Sequence, residues 1–138
     1  MFKRWFACFF DPNIYFCIIK KAVIMLEIGD RPWGKYYVLA DEPNYKLKRI
    51  EVNPGQKLSY QYHHKRQEQW TIIEGDATVV LDDKEISLKY GESIFIPLGA
   101  KHRMMNLSEK PVVFIEVQTG TYFGEDDIVR IEDEYDRN

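Results

Sequence analysis

From residue 35 onward, short apolar runs alternate with clusters of turn-forming residues, at a spacing of about ten residues that is typical of all-β domains. No stretch of this region repeats its apolar residues with the period of an α-helix. The apolar runs are rich in β-branched and aromatic residues, as in Thr71-Ile72-Ile73 and Ile94-Phe95-Ile96, which favour strands. The pattern therefore predicts an all-β sandwich or barrel.

Nine strands are predicted between these turns. They are Lys35–Leu39, Tyr45–Val52, Leu58–His63, Gln69–Glu74, Ala77–Leu81, Glu85–Leu88, Ser93–Ile96, His102–Asn106 and Val112–Val117. The connecting segments hold Gly, Pro, Asn and Asp, for example Asn53-Pro54-Gly55 and Gly75-Asp76, which are residues that tight turns require. The apolar and acidic tail that follows the last of these strands is expected to form a surface strand or arm.

Residues 1–24 form an apolar and aromatic extension, and residues 25–138 form the predicted domain. The longest clean apolar run of the extension, Ile14–Ile19, is six residues, whereas ~20 are needed to cross a bilayer. The extension also lacks a long apolar core with a small-residue cleavage site, so no signal peptide is expected. Two interpretations stay open: a start assigned too early, with translation beginning at Met25, or a segment that lies on a lipid surface.

The formal net charge is −3, which argues against nucleic-acid binding because such proteins normally carry a basic patch. Both cysteines, Cys8 and Cys17, lie in the extension. The domain therefore has no disulfide framework, and a reducing, cytoplasmic location is expected.

Four polar residues form a candidate metal site. Gln61 and His63 are two positions apart in one predicted strand, so their side chains leave the same face. Glu68 follows after a short loop, and His102 opens another predicted strand. Two imidazoles, a carboxylate and an amide oxygen can converge inside a barrel and bind zinc, iron, manganese, cobalt or nickel. We predict one divalent ion here, with zinc favoured.

Two segments resemble the two motifs of the cupin superfamily. The first holds Gly55, Gln61-Tyr62-His63, Glu68 and Gly75, and the second holds Gly91, Pro97, Gly99, His102 and Asn106. The resemblance implies a single cupin barrel, the double-stranded β-helix or jelly roll. It assigns the metal to the same four residues, although most metal cupins have histidine where this chain has Gln61.

A narrower resemblance extends from about residue 31 to residue 137. The chain is similar to the C-terminal domain of type II phosphomannose isomerases, which often follows a mannose-1-phosphate guanylyltransferase domain. The matching stretches are Arg31-Pro32-Trp33-Gly34, Leu58-Ser59-Tyr60-Gln61-Tyr62-His63-His64, Arg66, Glu68, Trp70, Ile96-Pro97, Lys101-His102-Arg103, Glu116-Val117-Gln118-Thr119-Gly120 and Gly124-Glu125-Asp126-Asp127-Ile128-Val129-Arg130. Tryptophan in two of these stretches is expected to fill the barrel core.

This resemblance implies interconversion of mannose 6-phosphate and fructose 6-phosphate, in which a proton moves between C1 and C2. Arg66 matches the arginine of the family motif and is expected to contact the substrate, since a guanidinium grips phosphate with two hydrogen bonds. Lys57, Lys101 and Arg103 are further candidates for contacts with the phosphate or the reacting sugar. His64, next to a metal ligand, is the candidate general base.

Two alternatives stay open. A non-catalytic sugar-phosphate-binding cupin is favoured by Lys65 and Gln69, which stand where the family has histidine. A metal-dependent cupin oxygenase is the other, and Gln61 counts against it. By analogy with the family we also expect a homodimer and a separate guanylyltransferase partner.

Overall fold

A computed structural model describes residues 25–137, whose regular structure consists of eleven β-strands and one 3₁₀ helix. The strands are β1 (Glu27–Arg31), β2 (Gly34–Glu42), β3 (Tyr45–Val52), β4 (Tyr60–His63), β5 (Arg66–Glu74), β6 (Ala77–Leu81), β7 (Lys84–Leu88), β8 (Ser93–Ile96), β9 (His102–Met105), β10 (Val112–Gly120) and β11 (Ile128–Glu132). The 3₁₀ helix, Glu125–Asp127, leads into β11. This content confirms the all-β prediction.

The strands form two antiparallel sheets. One has six strands in the order β1-β2-β3-β10-β5-β8, and the other has five in the order β11-β4-β9-β6-β7. Strands far apart in the chain are therefore neighbours, since β10 lies between β3 and β5, and β4 lies between β11 and β9. Both sheets contribute to one hydrophobic core, which includes Ile50 and Phe114 from the first and Val79 and Met104 from the second.

Side chains alternate between the two faces of each strand, and this alternation determines which residues are buried in the core. In β5, Arg66, Glu68, Trp70 and Ile72 are buried, whereas the residues between them are more exposed. Successive side chains of a strand point to opposite faces, so one half of the inner face of β5 is polar and the other half is apolar. Trp70 is 1% exposed and Trp33 is also buried, which confirms the interior position expected for tryptophan.

The predicted strands Tyr45–Val52, Ala77–Leu81 and Ser93–Ile96 have the observed bounds, and the other six differ by a few residues at one or both ends. Sequence patterning missed β1 and assigned no bounds to β11, each of which is an edge strand of its sheet. No helix within residues 25–137 is long and apolar enough to cross a membrane. The predictions for residues 1–24 lie outside the described residues.

Candidate metal centre and cavity

Three of the four predicted ligands meet at one buried point between the sheets. His63 ends β4, Glu68 lies on β5 and His102 begins β9. His63 Nε2 is 3.1 Å from Glu68 Oε1, and His102 Nε2 is 3.5 Å from Glu68 Oε2. Donor atoms that each lie ~2 Å from a shared ion are themselves about 3 Å apart, so these separations suit a common metal.

The two imidazoles are oriented by their other ring nitrogens. His102 Nδ1 donates to the carbonyl of Ala100 at 2.9 Å, and His63 Nδ1 lies 3.4 Å from the carbonyl of Asp127. A proton fixed on Nδ1 leaves the Nε2 lone pair free for a metal. Within residues 25–137 both Nε2 atoms are buried and have no hydrogen-bond partner. An unpartnered buried nitrogen is costly, and a metal ion at this point would satisfy both.

Glu68 is held as a carboxylate by its neighbours. Arg66 Nε donates to its Oε1 at 3.3 Å, and Trp70 Nε1 donates to its Oε2 at 3.0 Å. Burial alone would raise the pKa of Glu68, but the adjacent His63 and His102, together with the Arg66 guanidinium, outweigh burial and hold that pKa well below its usual range. The centre therefore presents an ionised oxygen ligand near neutral pH.

A second buried carboxyl group, Glu116 on β10, shares two hydrogen-bond donors with Glu68. The indole N–H of Trp70 lies 3.0 Å from Glu116 Oε2 as well as from Glu68. Gln118 Nε2 donates to Glu116 Oε1 at 2.7 Å and to Glu68 Oε1 at 3.2 Å. Burial and the negative charge of Glu68 raise the pKa of Glu116 to about 8. The surroundings thus shift the pKa values of the two neighbouring carboxyl groups in opposite directions.

Gln61, the predicted fourth ligand, lies beside this cluster. It pairs across the sheet with His102, and both Gln61 and Glu68 line the same cavity. The hydroxyl of Ser59 donates to Gln61 Oε1 at 2.6 Å, which leaves the second lone pair of that oxygen available. Coordination by Gln61 stays a prediction.

A cavity opens beside these residues, lined by side chains from both sheets. The apolar part of the cavity wall includes Trp33, Tyr36, Ile50 and Leu58. Its charged lining has five basic residues and three acidic ones, namely Arg31, Lys48, Arg66, Arg130 and Arg137 against Glu68, Glu116 and Glu125. The excess of positive charge, which a bound metal would increase, suits an anionic ligand.

Two of the basic residues in the cavity have no carboxylate partner within residues 25–137. Lys48 pairs with Glu125 at 3.1 Å, and Arg66 and Arg137 have their own carboxylates. Arg31 instead donates to the hydroxyl of Tyr36 at 3.2 Å. Arg130 has a buried Nε with no hydrogen-bond partner in that part of the chain. Both guanidinium groups therefore keep donors for a ligand.

Of the other site residues predicted from sequence, only Arg66 lines this cavity. His64 is exposed, and its backbone N–H donates to Asp127. Lys57 pairs with Glu134, and Arg103 pairs with Glu132 at 3.1 Å. The side chain of Lys101 is exposed. Catalytic or substrate-binding roles for these four residues stay predictions, and their positions give them no support.

Sequence reasoning did not single out Lys48, Glu116 or Gln118 as site residues. A usable signal existed, because Lys48 occupies a core-facing position two residues before Ile50 in β3, and Glu116 follows Phe114 in the same way in β10. Charged residues are almost never fully buried unless they are paired. A charge at an inward position of an apolar strand therefore marks a candidate site residue.

Two antiparallel sheets that enclose a His-Glu-His cluster define this protein as a cupin. A solved sugar phosphate isomerase of the cupin superfamily from Silicibacter pomeroyi superposes with a TM-score of 0.59 at 20% identity, covering 70% of this chain and 76% of that one. The model of the family "Mannose-6-phosphate isomerase C-terminal" matches residues 20–133. The chain belongs to that family.

Curated relatives are longer proteins. The xanthan biosynthesis protein XanB of Xanthomonas campestris pv. campestris is 47% identical over 107 residues, covering 78% of this chain and 23% of XanB. The mannose-1-phosphate guanylyltransferase ManC of Salmonella typhimurium is also 47% identical over 107 residues, covering 78% of this chain and 22% of ManC. The chain thus spans less than a quarter of the length of these relatives.

Proposed function

We propose that this cupin is a metal-dependent isomerase that interconverts mannose 6-phosphate and fructose 6-phosphate. The observation that carries the proposal is the buried pair Glu68 and Glu116, which share the donors of Trp70 and Gln118 and line a cavity with an excess of basic residues. Pairs whose surroundings push their pKa values apart are typical of sites that perform acid–base chemistry. Membership of the mannose-6-phosphate isomerase C-terminal family supports the same substrate class.

His63, Glu68 and His102 would hold the ion, with Gln61 as the fourth ligand. When bound, a divalent ion such as zinc would supply a Lewis acid that polarises the oxygen atoms of the sugar. The donor set also accommodates cobalt, manganese, nickel or iron.

Glu116 is the group best placed to move the proton. Its carboxyl group lines the cavity next to Glu68, so in its ionised form it could accept a proton from C2 and return it to C1. The second proton, on the sugar hydroxyls, passes between O1 and O2, so the isomerisation changes neither composition nor redox state. Arg66, Arg31 and Arg130 would hold the phosphate and fix the sugar over Glu116.

A coupled assay on metal-free protein tests this function. Added zinc, cobalt or manganese should restore conversion of mannose 6-phosphate, and His102→Ala should lose both the ion and turnover. Glu116→Gln should keep the ion and lose turnover. His64→Ala should keep both, which distinguishes Glu116 from His64 as the general base. If His64→Ala abolished turnover with metal still bound and Glu116→Gln did not, the role of Glu116 would be refuted.

The second candidate is a domain that binds the sugar phosphate without converting it. It draws on Lys65 and Gln69, which stand where the family has histidine. Neither residue lines the cavity, and Lys65 lies over the ring of Tyr122, which reduces the weight of these two differences. Tight binding of mannose 6-phosphate with no turnover under any of the metals would favour this candidate and overturn the isomerase. Oxygen consumption with a redox metal would favour the oxygenase instead.

A further inference from the structure

Asp127, in the 3₁₀ helix that precedes β11, is buried against the loop between two predicted metal ligands. Its Oδ1 accepts the backbone N–H of His64 at 3.2 Å, and its Oδ2 accepts that of Lys65 at 3.1 Å. The same carboxylate lies 3.9 Å from Arg66 Nη1. One acidic side chain thus holds the whole connection from His63 to the start of β5.

The backbone around Asp127 also contacts groups that orient the ligands. Its carbonyl faces Nδ1 of His63, the nitrogen that must keep its proton if Nε2 is to bind metal. The carbonyl of Gly124 accepts from Arg66 Nη1 at 2.9 Å, and Arg66 in turn donates to Glu68. The helix therefore contacts one ligand directly and a second ligand through an arginine.

Asp127 is not itself positioned as a ligand. Both carboxylate oxygens are used by backbone amides, and the buried cluster that faces the ion consists of His63, Glu68 and His102. From this geometry we infer that Asp127 is a positioning residue, which couples the 3₁₀ helix and β11 to the affinity of the metal centre. The inference rests on the proposed metal site. Because linkage is reciprocal, the bound ion must in turn stabilise the docked helix.

A matched pair of substitutions tests the inference by titration of the metal-free protein with Zn²⁺. Asp127→Asn keeps the shape of the side chain, but its NH₂ group must face one of the two backbone N–H donors, and the charge opposite Arg66 is lost. We expect the dissociation constant to rise about 10- to 100-fold, as for groups that orient metal ligands. Asp126→Asn is the control, since Asp126 is exposed and its side chain accepts a hydrogen bond from the hydroxyl of Tyr122.

A cobalt spectrum separates positioning from simple loss of stability. With saturating Co²⁺, Asp127→Asn should shift the visible absorption bands because the His63 imidazole is held less firmly, whereas Asp126→Asn should match the unaltered protein. Equal affinities and equal spectra for the two variants would overturn the inference while leaving the metal site intact. Failure of the unaltered protein to bind Zn²⁺ or Co²⁺ would overturn both.

Hydrogen exchange tests the coupling in the unaltered protein, so the result does not depend on whether a variant folds. Addition of Zn²⁺ should slow exchange at the amides of His64, Lys65 and Asp127, the last of which donates to Gly124. Amides of the hairpin formed by β6 and β7, which carries no metal ligand, should not change. Unchanged exchange at the three amides, with the ion bound, would contradict the coupling.

Discussion

At the scale of single residues, two neighbouring carboxyl groups differ because different charges surround them. Glu68 has two imidazoles and the guanidinium of Arg66 close by, so it stays ionised. Glu116 is equally buried and faces the negative charge of Glu68, and the opposing effects of Lys48 and Arg66 are too small to reverse this. Deep burial amplifies such differences because little water remains to screen them.

This difference predicts a pH-dependent stability for the metal-free protein. The folded pKa of Glu116 is about 8 against an ordinary value of 4.5, so the folded state keeps a proton that the unfolded state releases. The contribution of Glu116 is therefore fully present below pH 4.5 and is lost as the pH rises to about 8, with a slope of up to ~1.4 kcal/mol per pH unit. Chemical unfolding at several pH values measures it.

Glu116→Gln is the matched variant for that measurement, because it keeps the shape and the neutral state of the side chain. The unfolding free energy of the variant should lose the downward slope between pH 4.5 and pH 8. Parallel curves for the two proteins would mean that Glu116 has an ordinary pKa, and the proton-transfer role would lose its support.

At the scale of secondary structure, the two edge strands beside the cavity carry its least neutralised charges. β1 ends at Arg31, and Arg130 of β11 pairs directly with Gln61 of β4. A side chain on an edge strand can reach a site at the rim of a sheet without packing into the core. The strands that carry the candidate ligands thus lie inside the sheets, and the proposed contacts with the substrate would come from strands at the edge.

Arg31→Ala and Arg130→Ala should therefore each raise the KM for mannose 6-phosphate, by about 10-fold or more for the loss of one charge-assisted hydrogen bond. The metal affinity should stay the same. Arg49→Ala is a matched control, because Arg49 pairs with Glu51 and does not line the cavity. A raised KM for Lys101→Ala, with no change for the two cavity arginines, would place the phosphate elsewhere.

The difference between interior and edge strands explains which elements could be predicted from the sequence. Interior strands such as β3 and β6 have apolar residues at alternate positions, and their bounds were predicted correctly. β1, with the sequence Glu27-Ile28-Gly29-Asp30-Arg31, has little apolar patterning because an edge strand buries few side chains. The candidate ligands lie in local motifs of the sequence, and the structure brings three of them, His63, Glu68 and His102, together. Lys48, Glu116 and Arg130 come together only through pairing of distant strands, which local patterns do not encode.

At the scale of the whole molecule, the proposed metal would join the two sheets. Glu68 belongs to the six-stranded sheet, whereas His63 and His102 belong to the five-stranded one. Without an ion, the Nε2 atoms of His63 and His102 lie buried beside Glu68 with no hydrogen-bond partner among residues 25–137, so the metal-free barrel carries a local cost at this end. Homodimer formation, a cytoplasmic location and a separate guanylyltransferase partner stay predictions.

Metal binding should consequently stabilise the entire fold. An ion at 100 times its dissociation constant should raise the unfolding free energy by about 2.7 kcal/mol, provided that the unfolded chain does not bind it. Thermal unfolding across a series of Zn²⁺ concentrations measures the effect, and His102→Ala should abolish it. A melting temperature independent of the ion would contradict a shared metal between the sheets.

The contacts of Asp127 have a consequence for biosynthesis. All three clustered ligands precede Glu116, Asp127 and Arg130 in chain order, and chains emerge from the ribosome amino end first. A nascent chain that ends at His102 still lacks β10, which lies between β3 and β5, and β11, which pairs with β4. Tight metal binding should thus be among the last properties that the growing chain acquires, together with the contacts of Asp127.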